Sequence, residues 1–276
     1  MLTPQNLAAE VARLAQDLPP FPKVVMRLLD MLQDDNTSLE ALAHLASHDA
    51  VILSGLLAKA NQIRHINAQP DVHDPFVAAS LIGFDQVRSI VATAGMHKFL
   101  AEEKGATFLF LHSRAVAIVA QELATMCGIS SEKAYVASIL HDIGQLCLHI
   151  LDPGAFEEIY QQSAIDGRLV EREAAVFGQD HTEIGAALAR HWQLPEDFVE
   201  AIRAHHDDDG VTGSPLQAVV NVAESLVRAL DIPPSPKNRL TRLNSRAVAA
   251  LGIDWHSQEM SDCFGRCRAR FHQTLD

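Results

Sequence analysis

The chain has 276 residues and a formal net charge of −13, from 35 acidic and 22 basic residues. This balance argues against sequence-independent binding of duplex nucleic acid or of an anionic membrane, because both depend on clustered lysine and arginine. A small phosphorylated ligand or nucleotide stays possible, since a bound metal can supply positive charge locally. The hydrophobic fraction of 48% is enough for one large domain or two of ordinary size.

Three further features of the sequence bear on where in the cell the protein is located. No uncharged apolar run reaches the roughly 18 residues that cross a bilayer. The N-terminal stretch carries Glu10, Arg13 and Asp17 through its apolar pattern, which is unlike a signal peptide. Four cysteines in a chain of this length do not suggest a disulfide scaffold. We therefore expect a cytoplasmic protein without a membrane segment.

Nearly the whole sequence has the apolar spacing of α-helices. Leu39, Leu42 and Leu45, for example, recur at the spacing of one helix face, and no alternating strand pattern of useful length occurs. The proline-rich segment 18–22 predicts an extended linker after the first helix, and the segment 67–75 predicts a loop. The sequence thus predicts an all-α fold.

The apolar pattern breaks at residues 101–107, where we place a domain boundary. We expect an N-terminal helical domain over 1–105 and a second helical domain over 106–276. Within the second domain, the proline-rich stretch 231–238 separates a C-terminal helical tail.

The second domain collects imidazole and carboxylate groups on or beside its apolar helical segments. An uncompensated polar group there is costly, and such groups from several helices are what a mixed nitrogen and oxygen metal site requires. Neighbouring histidines on a helix point about 100° apart, so an adjacent pair reaches one centre only if two metals are bound or the helix end unwinds. The alternative is a set of polar residues left in a core that has lost its metal. The candidate ligands are His112, His141, Asp142, His181, His205, His206 and Glu224.

Three arginines lie near these ligands in the sequence, namely Arg114, Arg190 and Arg203. A guanidinium group can hold a substrate phosphate through two hydrogen bonds. Each arginine could equally form a salt bridge at the surface, and the sequence alone does not decide between the two roles.

The order of these ligands resembles that of a known superfamily. His112, the run His141-Asp142-Ile-Gly and an acid at 224 are similar to the HD phosphohydrolases, and the additional His181 and the pair at 205–206 are similar to the dinuclear HD-GYP branch. The front half resembles the narrower HDOD family of bacterial signalling proteins. This resemblance covers roughly residues 14–230. Its front part is carried by LPPFPKV at 18–24, SHDA at 47–50, LAKAN at 57–61 and SLIGFDQVR at 80–88.

The resemblance implies an HD-type helical bundle behind an HDOD subdomain, with two divalent metal ions. The first ion would be held by His112, His141, Asp142 and Glu224, and the second by Asp142, His181, His205 and His206. Asp142 would bridge the ions and orient the attacking hydroxide, which makes it the catalytic residue. Two metals roughly 3.5–4 Å apart can generate hydroxide and clamp a phosphoryl group. Such sites accept iron, manganese, zinc, cobalt or nickel, so the metal's identity stays open.

The sequence also departs from the enzymes it resembles. Gln145 stands where HD-GYP enzymes carry the lysine of their HDIGK motif, and no Gly-Tyr-Pro motif follows His181. Phe108 takes the place of a glutamate found in some relatives, and Glu224 that of an aspartate. Many HDOD proteins have lost ligands and act as regulatory modules. We slightly favour a regulatory HDOD protein with an HD-type metal site, which binds a signalling partner or a small ligand through its front domain. The alternative is a metal-dependent phosphohydrolase acting on a nucleotide or other phosphoester.

Overall fold

The computed structural model describes residues 37–47, 50–94 except 85, 88 and 92, 107–192, 194–207, 213–234 and 243–273. Within these ranges the regular elements are helices and no strand occurs, so the predicted all-α class is confirmed. The predicted first helix, the proline-rich linker and the segment expected to hold the domain boundary lie outside the described residues. The extents 1–105 and 106–276 therefore stay a prediction.

Residues 37–94 belong to one compact unit. Its helices bury small and aliphatic side chains such as Leu42, Leu56 and Ala60. The predicted loop before the third helix is confirmed, and it is held by Asn61, whose side chain donates to the Val72 carbonyl at 3.0 Å and accepts from its backbone N–H at 2.6 Å. The helices are α1 (Leu39–Ser47), α2 (Ala50–Ile66) and α3 (Pro75–Ile82).

Residues 107–273 belong to a second compact unit. Its central helix is α4, in which 13 of 20 residues are buried, as expected for a helix that is apolar on most of its circumference. Helices α5, α11 and α13 pack against it, and α9 packs against α6 and α10. The helices are α4 (Thr107–Met126), α5 (Ser131–Leu140), α6 (Ile143–Leu151), α7 (Pro153–Asp166), α8 (Leu169–Phe177), α9 (His181–His191), α10 (Glu196–Arg203), α11 (Pro215–Leu230), α12 (Ser245–Ala250) and α13 (Gln258–Gln273).

Among the described residues, one stretch is long and apolar enough to cross a membrane by composition. It is Ser131–Leu151, and 83% of its most apolar 18-residue window is buried inside the protein. Two consecutive helices, α5 and α6, form this stretch, and a turn at His141 and Asp142 separates them. Its apolar character is therefore that of a core segment.

A glycine brings two of these helices into backbone contact. A Cβ atom at Gly144 would overlap the carbonyl oxygen of His181 and would lie 2.9 Å from the backbone nitrogen of Gly185. Only a residue without a side chain fits at this crossing. The first turn of α6 therefore lies directly on the first turn of α9, which brings Asp142 beside His181.

Candidate metal centre

The predicted ligands come from six helices or helix ends of the second unit. Two lie inside helices, and the others lie where a helix begins or ends. The positions are His112 in α4, His141 at the end of α5, Asp142 before α6, His181 at the start of α9, His205 and His206 in the turn after α10, and Glu224 in α11. The structure brings all of these side chains together.

The ligand atoms form two groups, and within each group they lie within 4.8 Å of one another. One group consists of His112, His141 and Glu224. The other consists of Asp142, His181, His205 and His206. This is the division that the resemblance implies, except that Asp142 is assigned to one group only.

Asp142 nevertheless faces both groups. Its Oδ2 lies 3.5 Å from Nε2 of His112 and 3.3 Å from Nε2 of His141. Its Oδ1 lies 3.4 Å from Nε2 of His181 and 3.4 Å from Nε2 of His205. One carboxylate oxygen is therefore directed to each group.

The turn after α10 explains how two adjacent histidines reach one place. Helix α10 ends at Arg203, so both imidazoles leave the chain from non-helical backbone. Their ring centroids are 4.2 Å apart, and those of His181 and His206 are 5.1 Å apart. Asn221 of α11 holds this turn, because its side-chain amide donates to the carbonyl oxygen of His205 at 2.8 Å.

Three of the imidazole rings are oriented by hydrogen bonds on the side away from the centre. Nδ1 of His141 donates to the Ser138 carbonyl at 2.6 Å, and Nδ1 of His205 donates to the Ile202 carbonyl at 2.7 Å. When these rings are neutral, as metal ligands are, the acceptors keep the proton on Nδ1 and the Nε2 lone pair is directed to the centre. The third ring, that of His181, has a carboxylate acceptor.

That carboxylate belongs to Glu173 of α8, which the sequence analysis missed. Its Oε2 accepts from Nδ1 of His181 at 2.5 Å and from the backbone N–H of the same residue at 3.0 Å. Glu173 is 0% exposed and is the one fully buried residue of its helix. A signal was present in the sequence, since Glu173 lies four residues from both Leu169 and Phe177, on the inward face of α8.

Charges within the cluster shift the pKa values of its members in opposite directions. Burial alone would raise the pKa of Asp142 and of Glu224, but the neighbouring imidazoles hold both well below their ordinary values. Burial would lower the pKa of His141, yet Asp142 and Glu224 raise it to about 10. Burial and the adjacent imidazoles lower the pKa of His206 well below its ordinary value. Without metal, the cluster thus combines anionic carboxylates with a protonated imidazole at His141 and a neutral one at His206.

Several buried atoms of the cluster lack a hydrogen-bond partner, namely Nε2 of His141, Oδ1 of Asp142 and Oε2 of Glu224. Buried polar atoms are almost always paired, since an unpaired one loses its hydration without compensation. All of these atoms face the centre of the cluster, where a divalent cation would satisfy them together. Imidazole and carboxylate ligands suit the divalent transition metals. The residues therefore fit a divalent metal site.

The arginines named from the sequence bind elsewhere. Arg114 donates to the carbonyl oxygen of Phe271 at 3.2 Å. Arg190 pairs with Glu196 at 3.6 Å and Arg203 with Glu200 at 2.7 Å. The arginine beside the cluster is Arg228, whose NH2 group donates to Oε1 of Glu224 at 2.6 Å. Sequence reasoning missed it, although its position one helical turn after Glu224 was visible.

Comparison with known proteins extends these observations. An uncharacterized protein of Treponema pallidum is 24% identical over 234 residues, which are 82% of this chain and 45% of that protein. Ribonuclease Y of Aquifex aeolicus is 32% identical over 121 residues, or 44% of this chain and 17% of that protein. The chain thus spans less than half the length of these curated relatives.

The fold is shared with a solved structure. An HDOD domain protein of unknown function from Geobacter sulfurreducens superposes with a TM-score of 0.71 at 23% identity, covering 95% of this chain and 96% of that one. The HDOD domain itself matches residues 18–208, which is more than half of the sequence. On this match, and with the helical fold and the histidine and carboxylate cluster that accompany it, the chain belongs to the HDOD family.

Proposed function

We propose that the second unit binds two divalent metal ions bridged by Asp142, and that this centre hydrolyses a phosphoester. The observation that carries the proposal is the orientation of the Asp142 carboxylate, which directs one oxygen to each of two separate groups of ligands. A carboxylate in this position serves two cations at once. A site for a single ion would use only one of the two groups of ligands.

The ligands divide between the ions as the two groups do. The first ion would be held by His112, His141, Glu224 and Oδ2 of Asp142. The second would be held by His181, His205, His206 and Oδ1 of Asp142. Two neighbouring divalent ions supply a low-pKa water nucleophile and neutralise charge on a phosphoryl group.

The protein itself positions the ligands, leaves an opening for a substrate and excludes water from the centre. The side chain of His112 is 21% exposed and His206 is also partly exposed, whereas the side chains of His141 and His181 are fully buried. A substrate would therefore approach where His112 and His206 reach the surface. The buried rings exclude water and are fixed by their Nδ1 hydrogen bonds. Since the ligands are held before a metal arrives, the site needs little rearrangement to bind one.

The relatives named ribonuclease Y also support hydrolysis, because by that name they act on RNA, a polymer joined by phosphodiesters. The chain covers only 17% and 23% of the length of two of them. Its net charge of −13 makes a small phosphoester a better substrate than a long polyanion.

A second candidate function is a metal-containing signalling module without catalysis, and Gln145 favours it. This residue is 4% exposed, and its Oε1 has no hydrogen-bond partner. A neutral amide stands there in place of the lysine found in the enzymes the sequence resembles. In this alternative the metal centre would stabilise or regulate a cytoplasmic protein whose N-terminal unit binds a signalling partner.

Elemental analysis and a substrate panel test the proposal. We expect purified protein, reconstituted with Mn²⁺ or Fe²⁺, to hold two ions per chain and to hydrolyse a member of a phosphodiester and nucleotide panel. Asp142→Ala should lose both ions and the activity. Asp262→Ala, which changes an aspartate at an exposed position of α13, is the matched control and should lose neither.

The outcomes distinguish the metal-dependent phosphohydrolase from the signalling module without catalysis. Two ions and turnover support the proposal. Two ions without turnover across the panel would leave the signalling module as the function. Equal metal content in the wild type and in Asp142→Ala would refute the bridging assignment.

A further inference from the structure

Arg228 is a cation at the edge of the metal centre. Its NH2 group donates to Oε1 of Glu224 at 2.6 Å, while Oε2 of the same carboxylate lies 2.9 Å from Nε2 of His112. The arginine thus contacts one ligand of the proposed first ion directly, through the oxygen of Glu224 that is turned away from His112. Its side chain is 36% exposed, in contrast to the buried ligands behind it.

The guanidinium group has donors left over for a ligand. Among the residues that the structure describes, its one hydrogen bond is to Glu224. Of its five N–H groups, arranged in a planar fork, four remain available apart from that bond, and this geometry matches two oxygens of a phosphate. A purely structural partner for Glu224 would not need to keep these donors at the surface.

The charge of the site favours an anion at this edge. Two divalent cations would exceed the charge of the two ligand carboxylates, Asp142 and Glu224. Gln145, three residues after Asp142, is buried and brings no charge to the site. Arg228 supplies a cation from another helix, next to the exposed ligand His112.

We propose that Arg228 forms the phosphate-binding edge of the centre, with the guanidinium group donating to non-bridging oxygens of a phosphoester. This inference rests on the proposed function, because the phosphoryl group would lie between the guanidinium group and the two metal ions. It names the residue that selects a phosphorylated ligand, which the ligand set alone does not do.

Titration of the full-length, metal-loaded protein with inorganic phosphate tests the inference. We expect Arg228→Gln to weaken phosphate binding by about tenfold to a hundredfold, the effect of losing hydrogen bonds to a charged group. The matched control is Arg266→Gln, which breaks a comparable arginine–glutamate pair, 2.8 Å to Glu122, more than two helical turns along α4 from His112. It should bind phosphate like the wild type.

Metal content, measured on the same samples, distinguishes a failure of the proposed function from a failure of the phosphate-binding inference. A wild type without bound metal fails the proposed function, and the phosphate edge falls with it. A wild type with two ions and no phosphate binding refutes the edge alone. If Arg228→Gln loses metal but binds phosphate normally once metal is saturating, the arginine only positions Glu224, and the inference is wrong.

Discussion

Glu173 offers the sharpest test of how the centre is held, because its charge and its shape can be changed separately. Glu173→Gln keeps the size of the side chain and one oxygen in the place of Oε2. Both donors of His181, the ring Nδ1 and the backbone N–H, can then still be bonded. What is removed is the negative charge behind the ring.

The expected loss follows from the bonds that Glu173 makes. A hydrogen bond to a charged group contributes about 1.5–3 kcal/mol and one between neutral groups about 0.5–1.5 kcal/mol, so the difference is about 1–1.5 kcal/mol. That difference corresponds to roughly a five- to twelvefold weaker second ion, at the lower end of the 10- to 100-fold typical of such supporting residues. Glu173→Ala also leaves two buried donors unpaired and a cavity, so it should destabilise the metal-free protein by about 2–6 kcal/mol.

The assay is a competition titration with a metal-binding indicator that resolves the two binding steps, together with urea unfolding of the metal-free protein. Glu173→Gln should weaken the second step and leave the first unchanged. Glu171→Gln, on the exposed face of the same helix and 3.9 Å from Arg168, is the control and should change neither, because surface pairs contribute little. If both metal-binding steps of Glu173→Gln match those of the wild type, the carboxylate has no part in metal binding.

Three further predictions concern the same unit. Gly144→Ala should separate α6 from α9, lower the melting temperature and release metal, whereas Gly265→Ala, which meets no atom within 4 Å, should do neither. In the metal-free protein the raised pKa values of about 10 for His141 and about 9 for His181 exceed the ordinary 6.5. The stabilisation that the protonated imidazoles give the folded state is therefore complete below pH 6.5 and is lost as the pH rises through 9–10. Urea unfolding in EDTA should give a lower free energy of unfolding at pH 10 than at pH 7. The difference should be smaller in the metal-loaded protein. Asn221→Ala should lower the free energy of unfolding by about 1–3 kcal/mol and weaken the second ion, since the turn after α10 loses its anchor; an unchanged second binding step would contradict this.

The residues of the cluster could be picked out from the sequence because polar residues at apolar helical spacing are few. His141 and Asp142 interrupt a run of core residues, and Glu224 lies between the core residues Ala223 and Leu226. The helical class followed from the same periodicity. These features are local, and each can be read from about ten neighbouring residues.

The supporting residues had only weak local signals in the sequence, and their roles could not be assigned from it, because those roles depend on how helices cross. Arg114 and Arg203 are close to ligands in sequence but face Phe271 and Glu200. Glu173 and Arg228 reach the cluster from α8 and from the second half of α11. A helix turns 100° per residue, so two positions of separation can place a side chain on the far side of a helix. Proximity in sequence therefore says little about which arginine approaches a bound phosphate.

The placement of ligands at helix ends connects the fold to the chemistry. Five of the candidate ligands leave the chain at a helix end or in a turn, where neighbouring side chains can diverge from the 100° of a regular helix. This allows His141 with Asp142, and His205 with His206, to serve one cluster. The same arrangement concentrates buried imidazoles and carboxylates whose inner atoms are unpaired, and this destabilises the metal-free fold. A bound ion removes that destabilisation only in the native state, so metal binding should stabilise the fold by an amount that grows with the logarithm of metal concentration. The same unpaired atoms that lower the stability of the metal-free core would thus favour the binding of a cation.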